Sequence, residues 1–425
     1  MKHFYRGLLI FISLIACFAI GFSWTDIKGG KAPNKEAFLN ALIPNIQSSR
    51  LTPTQLFKRA YDTILDQYYK KLEPQKLTYA GMSGLLSTPG DQNTVFMDPQ
   101  SAESFNREAR ANLVGIGALL SSDPLGVKIG KVFPGTPAKR AGLKSGDIIT
   151  AVDGKSISGE TIDRIVRKIR GEKNTLVTLK VLRGKKKKSI IFKIRRQLVS
   201  IPTVDSKFFE KEKIGYISIS QFADATAKDF DKHYKDLLKK EDMRGLILDL
   251  RWNLGGLYDS AKEILSKFVS NKAVVIMKFR GNKRTTEFTS TSQVYKRNFP
   301  IVLVVNQSSA SASEIVAGAL RDHGLAKIVG TRTHGKGSIQ IPFPLRDKSV
   351  AKITIAKYLT PSGKDIDRKV NEDKEYISGG LDPDYKVSLE DAKNFELSHP
   401  VKDPQIKKAI SVLEVEFASK FKKKS

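Results

Sequence analysis

The 425-residue chain has one cysteine, Cys17, and only five histidines: His3, His233, His323, His334 and His399. Cys17 lies inside an apolar leader, so the rest of the chain offers no disulfide, no thiol nucleophile and no cysteine zinc site. No His-Glu-x-x-His spacing occurs, which leaves metalloprotease chemistry without its ligand pair. Internal repeats are absent. Negative charge is scarce, with 44 Asp+Glu against 73 Lys+Arg and a formal net charge of +29. Such a balance favours anionic membranes, nucleic acid or acidic substrates. The cations are scattered, however, and no aromatic-basic stripe accompanies them, so specific nucleic-acid binding has little support. The clearest run, Lys185 to Lys188 after Arg183-Gly184, reads as a hairpin turn with its charges in water.

What is present is globular. A hydrophobic content of 40% with 8% aromatics argues against global disorder, and the length suits two or three domains. Lys2 and Arg6 precede an uncharged apolar stretch from Leu8 to Trp24, the layout of an export leader. Gly21-Phe22-Ser23 supplies small residues for cleavage, and 17 residues also suffice for a retained membrane anchor. Leu14-Ile15-Ala16-Cys17 resembles a lipobox, although apolar residues continue past Cys17. All three readings export the chain to the periplasm or cell envelope.

Five segments follow from the patterning. Residues 1–24 are the signal peptide or anchor. Residues 34–112 form a helical N-terminal domain, with Leu56, Ala60, Ile64, Leu65 and Tyr68 on one face, Thr52-Pro53 as the helix start and Leu85–Pro99 as loop. Residues 113–198 form a small β-rich domain with an amphipathic helix at Thr161–Arg170 and a hairpin over 176–182 and 189–194. Residues 199–391 are α/β, with buried strands at 245–250 and 301–305, a further strand at 273–279, a helix at 311–323 and a strand at 351–359 closing the sheet. Residues 392–425 read as a polar, basic tail with a helical stretch.

Three elements carry chemistry. Ser311 stands where a buried strand gives way to a helix, and the N–H of Ala312 could stabilise an oxyanion there. Serines 308, 309, 311 and 313 are equally good helix caps. Gly255-Gly256, just past a buried strand, permits close backbone approach and could supply a second oxyanion N–H, or be an ordinary turn. Lys336, between Gly335 and Gly337, is either a solvent lysine or a general base. As a base it must be neutral, which burial favours against an ordinary value of about 10.4. Gln340 could then orient its Nζ without adding a charge that would keep it protonated.

Ser309 to Ile315, Ala317 to Asp322, Gly330-Thr331, Gly335 to Gln340 and Tyr358 to Gly363 together resemble the carboxyl-terminal processing peptidases, also called tail-specific proteases. The matching order covers roughly Leu56 to Leu389, and the 25-residue spacing of Ser311 and Lys336 suits the family. The resemblance implies a mixed α/β (α+β) fold: a crotonase/Clp-protease-like protease core with an inserted PDZ domain and a helical N-terminal region. It implies a serine endopeptidase with Ser311 as nucleophile, Lys336 as base and Gln340 orienting it. Gly255, Gly256 and Ala312 would form the oxyanion hole. No metal, nucleotide or other cofactor is implied.

Ala141 to Val152-Asp153-Gly154, after Pro134 to Ala138, is similar to PDZ domains, and Gly115-Ile116-Gly117-Ala118 stands where that fold binds a terminal carboxylate. The implied partners are proteins or peptides with free C-termini. Membrane association, an activating adaptor and a homo-oligomer remain open. Two departures stand out: Leu254 where the family has Pro, and His334 where it has Phe or Tyr. His334 raises a Ser-His-Asp rival, whereas His323 lies about 18 Å along the nucleophile helix, too far to act. The rival from another class is a peptide-binding module that has lost turnover.

Overall fold

The computed structural model describes residues 51–422 apart from 185–186, 292–293, 374 and 390–395; the leader with Cys17 lies outside the described residues. The chain divides into two compact units, residues 1–78 and 79–425. In the first, helix Pro53–Gln67 starts where expected. Thr52 Oγ1 accepts the Gln55 N–H, and Gln55 Oε1 accepts the Thr52 N–H, a reciprocal capping box.

The second unit is built on a six-stranded sheet. Strands Val204–Phe209 and Ile214–Ile219 pair antiparallel; Gly245–Asp249, Ile301–Val305, Ala326–Gly330 and Tyr385–Lys386 then follow in parallel. The near-continuous apolar runs Gly-Leu-Ile-Leu and Ile-Val-Leu-Val-Val suit strands covered on both faces. Side chains alternate between them. Ile217, Leu246, Leu248 and Leu303 meet helices Thr226–Leu238, Tyr258–Leu265 and Ala312–Asp322 on one face. Tyr216, Ile247, Val302 and Val304 meet Ile406, Ala409, Ile410 and Leu413 on the other. Those last four belong to helix Pro404–Lys422. The segment expected as a polar, basic tail with a helical stretch does carry a helix, but one packed on the sheet, because its apolar residues recur at helical spacing.

A second sheet corrects another expectation. Strand Val350–Leu359 does not close the parallel sheet but pairs antiparallel with Val95–Met97, Ala273–Phe279 and Ser338–Pro344. Its strands are half-exposed and carry Lys278, Lys352 and Lys357, which suits an antiparallel sheet with one wet face. Val95–Met97 also lies inside Leu85–Pro99, where a loop was expected; three residues are too few for a periodic signal. Helix Ala312–Asp322 is enclosed in this architecture, with every residue from Ala312 to Leu320 buried. Its small residues permit that: Gly318 leaves room for Thr360, whose methyl would lie 3.0 Å from an added Cβ.

Residues 118–195 form the middle domain. Strands Ala118–Asp123, Gly126–Val132, Ile148–Val152, Leu176–Arg183 and Lys188–Arg195 make one sheet around Ile129, Ile149, Val177 and Leu179, closed by helix Ile162–Ile169. Chain entry and exit run side by side as paired strands Asn112–Gly115 and Gln197–Ser200, as an inserted domain requires.

Candidate active site

Ser311 immediately precedes helix Ala312–Asp322, with φ 55° and ψ −115°. A non-glycine residue pays about 1–3 kcal/mol for such a conformation and holds it only when its surroundings enforce it. The neighbouring serines provide that enforcement. Ser309 Oγ donates to Leu250 O at 2.8 Å and Ser313 Oγ donates to Asn253 O at 2.8 Å, both side chains being fully buried. They stitch the segment to the turn after strand Gly245–Asp249. Ser311, half-buried between them, faces the site. Its carbonyl accepts the buried Tyr358 hydroxyl at 3.1 Å.

Glu314 links this segment to Lys336. Its carboxylate is fully buried. Oε2 accepts the Ser311 N–H at 2.9 Å and the Lys336 N–H at 2.9 Å, so one oxygen bridges both backbones. Oε1 accepts the Thr333 hydroxyl at 2.6 Å and the Gly335 N–H at 2.7 Å. Burial pushes the Glu314 pKa up, while these four donors favour the carboxylate. The loop is clamped from outside as well: Gly335 O accepts the Arg368 N–H and Gly337 O accepts the Tyr358 N–H, each at 2.8 Å. Burial lowers the Lys336 pKa from the usual lysine value, and Lys352 adds to that. Asp91 and Glu314 pull the other way.

Glu314, Thr333, Tyr358 and Asp91 had no assigned role in the sequence reading. The first was findable, since Ser-x-x-Glu at a helix start is a capping box. The rest act through contacts distant in sequence.

Gln340 lies on strand Ser338–Pro344, at a bulge between Ile339 and Gln340 that sets it opposite Thr354. Its Nε2 donates to Ser338 Oγ at 2.8 Å and to Thr354 Oγ1 at 3.0 Å. Among the described residues no hydrogen bond joins Gln340 to Lys336, or Lys336 Nζ to Ser311 Oγ.

The glycine turn packs directly on Ser311. A Cβ on Gly255 would lie 2.8 Å from Ser311 Cβ and 3.0 Å from Ala312 N, and its φ is +102°. Of the expected oxyanion donors, however, the Gly255 N–H is already committed to Asn253 Oδ1 at 2.9 Å. The Gly256 and Ala312 N–H groups have no partner among the described residues. Leu254, the departure from Pro, is 71% exposed on this turn. His334 is exposed and its N–H donates to Ser309 O, while the His323 Nε2 lies 2.7 Å from Ala273 O at the far end of the nucleophile helix.

In the middle domain Gly115, Ile116, Gly117 and Ala118 line a cavity of ≈ 230 Å³ with Val166 and Ile169. The Ile116 carbonyl accepts the Ala138 N–H at 2.7 Å, and the Gly117 carbonyl accepts the Phe133 N–H at 3.1 Å. Gly117 has φ +81°, and a Cβ there would strike Thr136 at 2.4 Å. Only glycine fits.

A serine held at a strained helix entrance, a half-buried lysine on a loop tied to it and a β-rich domain with an apolar cavity beside its glycine loop point to a serine peptidase with a PDZ domain. The sequence model of peptidase family S41 matches residues 213–387, and that of the PDZ domain matches residues 128–183. The chain belongs to peptidase family S41, as a carboxy-terminal processing protease. It is 35% identical over 350 residues to the carboxy-terminal processing protease CtpB of Bacillus subtilis (strain 168), covering 81% of this chain and 70% of that one. A CtpA-like serine protease of Staphylococcus aureus (strain N315) is 34% identical over 357 residues, covering 82% and 68%. A solved S41 protease from Bacteroides fragilis shares the fold at 14% identity and a TM-score of 0.52, covering 84% and 97%.

Proposed function

We propose that the protein cleaves exported proteins near their C-termini through a Ser311/Lys336 dyad, with the PDZ groove holding the substrate tail. Ser311 Oγ attacks the scissile carbonyl while Lys336 Nζ takes its proton, forming an acyl-enzyme. The same amine then activates water for deacylation. Gln340 orients the amine, and the N–H groups of Ala312 and Gly256 receive the oxyanion. Gly255 serves by close approach rather than as a donor. The observation that carries this reading is the Glu314 oxygen shared by the Ser311 and Lys336 backbones, which binds nucleophile and base segments into one rigid unit.

The tail carboxylate is taken by the free N–H groups of the Gly115–Ala118 loop, and the tail adds as a strand beside Ala118–Asp123. Residues 1–24 export the chain to the cell envelope by cleavage, anchoring or lipidation at Cys17. The described residues contain no helix long and apolar enough to cross a membrane. Ser311→Ala and Lys336→Ala, assayed on a protein with an apolar C-terminus, are each expected to lose roughly 10³-fold or more of the rate. Wild-type cleavage by either variant would overturn the dyad.

A further inference from the structure

Gln340 presents an amide whose two ends look alike in shape but not in chemistry. Both Nε2 hydrogens are used, one by Ser338 Oγ and one by Thr354 Oγ1. Thr354 can accept that hydrogen only because its own proton is directed elsewhere, to Asp91 Oδ2. A flipped amide would set Oε1 against a Thr354 oxygen with no proton to offer. The Asp91 carboxylate is itself fixed. Oδ1 accepts the Asn93 N–H at 2.9 Å and Oδ2 the Thr94 hydroxyl at 2.7 Å, while Thr94 Oγ1 accepts the Thr354 N–H at 3.0 Å. Pairing of strand Val95–Met97 with Val350–Lys352 sets the register that brings these groups together. Burial works against the charge on Asp91, but the bonds from Thr354, Asn93 and Thr94 outweigh it and hold its carboxyl below the usual range.

We propose that Asp91 is a positioning residue for the peptidase reaction: by taking the Thr354 proton it locks the Gln340 amide with Oε1 as the free acceptor for the Lys336 amine. Asp91 lies outside both residues 213–387 and residues 128–183, so a segment upstream of the two matched domains completes the site. An amine that must accept the Ser311 proton needs its lone pair aimed at Ser311, and one N–H held by Gln340 Oε1 would aim it. The relay is Asp91, Thr354, Gln340, Lys336. Lys352 and Glu314 are the other charged groups acting on that lysine.

This inference rests on the dyad reading, and its test separates the two. In the full-length chain, with a fluorogenic peptide ending in an apolar residue, Asp91→Ala is expected to lower kcat about tenfold and to leave KM within about twofold. Thr354→Val, which keeps the shape and removes the hydroxyl, should match it, and Thr354→Ser should restore the rate. Introduced into Gln340→Ala, Thr354→Val should cost nothing further, because the relay ends at Gln340 and Thr354 carries no charge to act on Lys336 directly. Equal fold-losses in the wild-type and Gln340→Ala backgrounds, or a Thr354→Val enzyme at wild-type kcat, would overturn the proposal. Should Asp91→Ala fail to fold, the Thr354→Val cycle decides alone. An active Lys336→Ala enzyme sinks the dyad; an inactive one with an additive cycle sinks only the relay.

Discussion

In the PDZ domain the Gly115–Ala118 loop rests on N–H groups from Ala138 and Phe133, whereas in the peptidase core the Lys336 loop rests on a fully buried carboxylate. The first lines its cavity with aliphatic side chains. The second spends every oxygen lone pair it can on fixing two backbone segments. Neutral backbone bonds with a void beside them tolerate adjustment. A buried charge satisfied by four donors does not, because releasing any donor leaves a desolvated charge poorly paired. Recognition and chemistry thus sit on supports of different stiffness within one chain.

The same contrast extends behind the oxyanion turn. Arg251, with no side-chain exposure, pairs with Asp249 at 2.6 Å and with Asp403, just before helix Pro404–Lys422, at 2.8 Å. Asp403→Ala should give the largest effect: about 3–5 kcal/mol of unfolding free energy, since it leaves the buried guanidinium with Asp249 and Gln405 alone and strips the cap from the Gln405 and Ile406 N–H groups. Denaturant unfolding measures this, and a loss under about 1 kcal/mol would show the core to be as yielding as the PDZ loop. Glu314→Gln comes next. One oxygen becomes a donor facing other donors, so kcat should fall about 10- to 100-fold with little change in KM. A KM-dominated loss would remove Glu314 from the comparison.

On the PDZ side, Val166→Asp puts a charge in the groove. KM for a tailed substrate should rise about tenfold with kcat within about twofold, read by steady-state kinetics. A kcat loss instead would mean that the groove is coupled to the chemistry as rigidly as the core. The smallest effect concerns pH. The active Lys336 is the neutral amine, so activity rises as pH climbs through its pKa, which lies below the ordinary lysine value. Lys352→Gln removes a positive neighbour that lowers that pKa, so the rise should move to higher pH. Movement the other way would show that Asp91 and Glu314, not Lys352, set the balance.

Strands 273–279 and 301–305 were legible because their apolar runs are local. The assignment of strand 351–359 to a sheet was not legible. Sheet membership depends on partners such as Val95–Met97 that lie more than 250 residues away. A helical stretch in the C-terminal tail was legible, but not its burial against the sheet, which depends on partners such as Ile247 and Val302 far away in sequence.

The sequence by itself determined the kind of site: a serine at a helix entrance, a glycine-flanked lysine, a glycine turn and a PDZ module. Composition and spacing suffice for that, because each piece is a local motif with a local conformational reason. Only the tertiary structure decided that Ser309 and Ser313 are spent on backbone carbonyls, that the Gly255 N–H is already taken, that Glu314 ties the Ser311 and Lys336 backbones together and that Asp91 accepts from Thr354. Those are matters of hydrogen-bond accounting, and a donor or acceptor has its partner fixed only when distant strands meet.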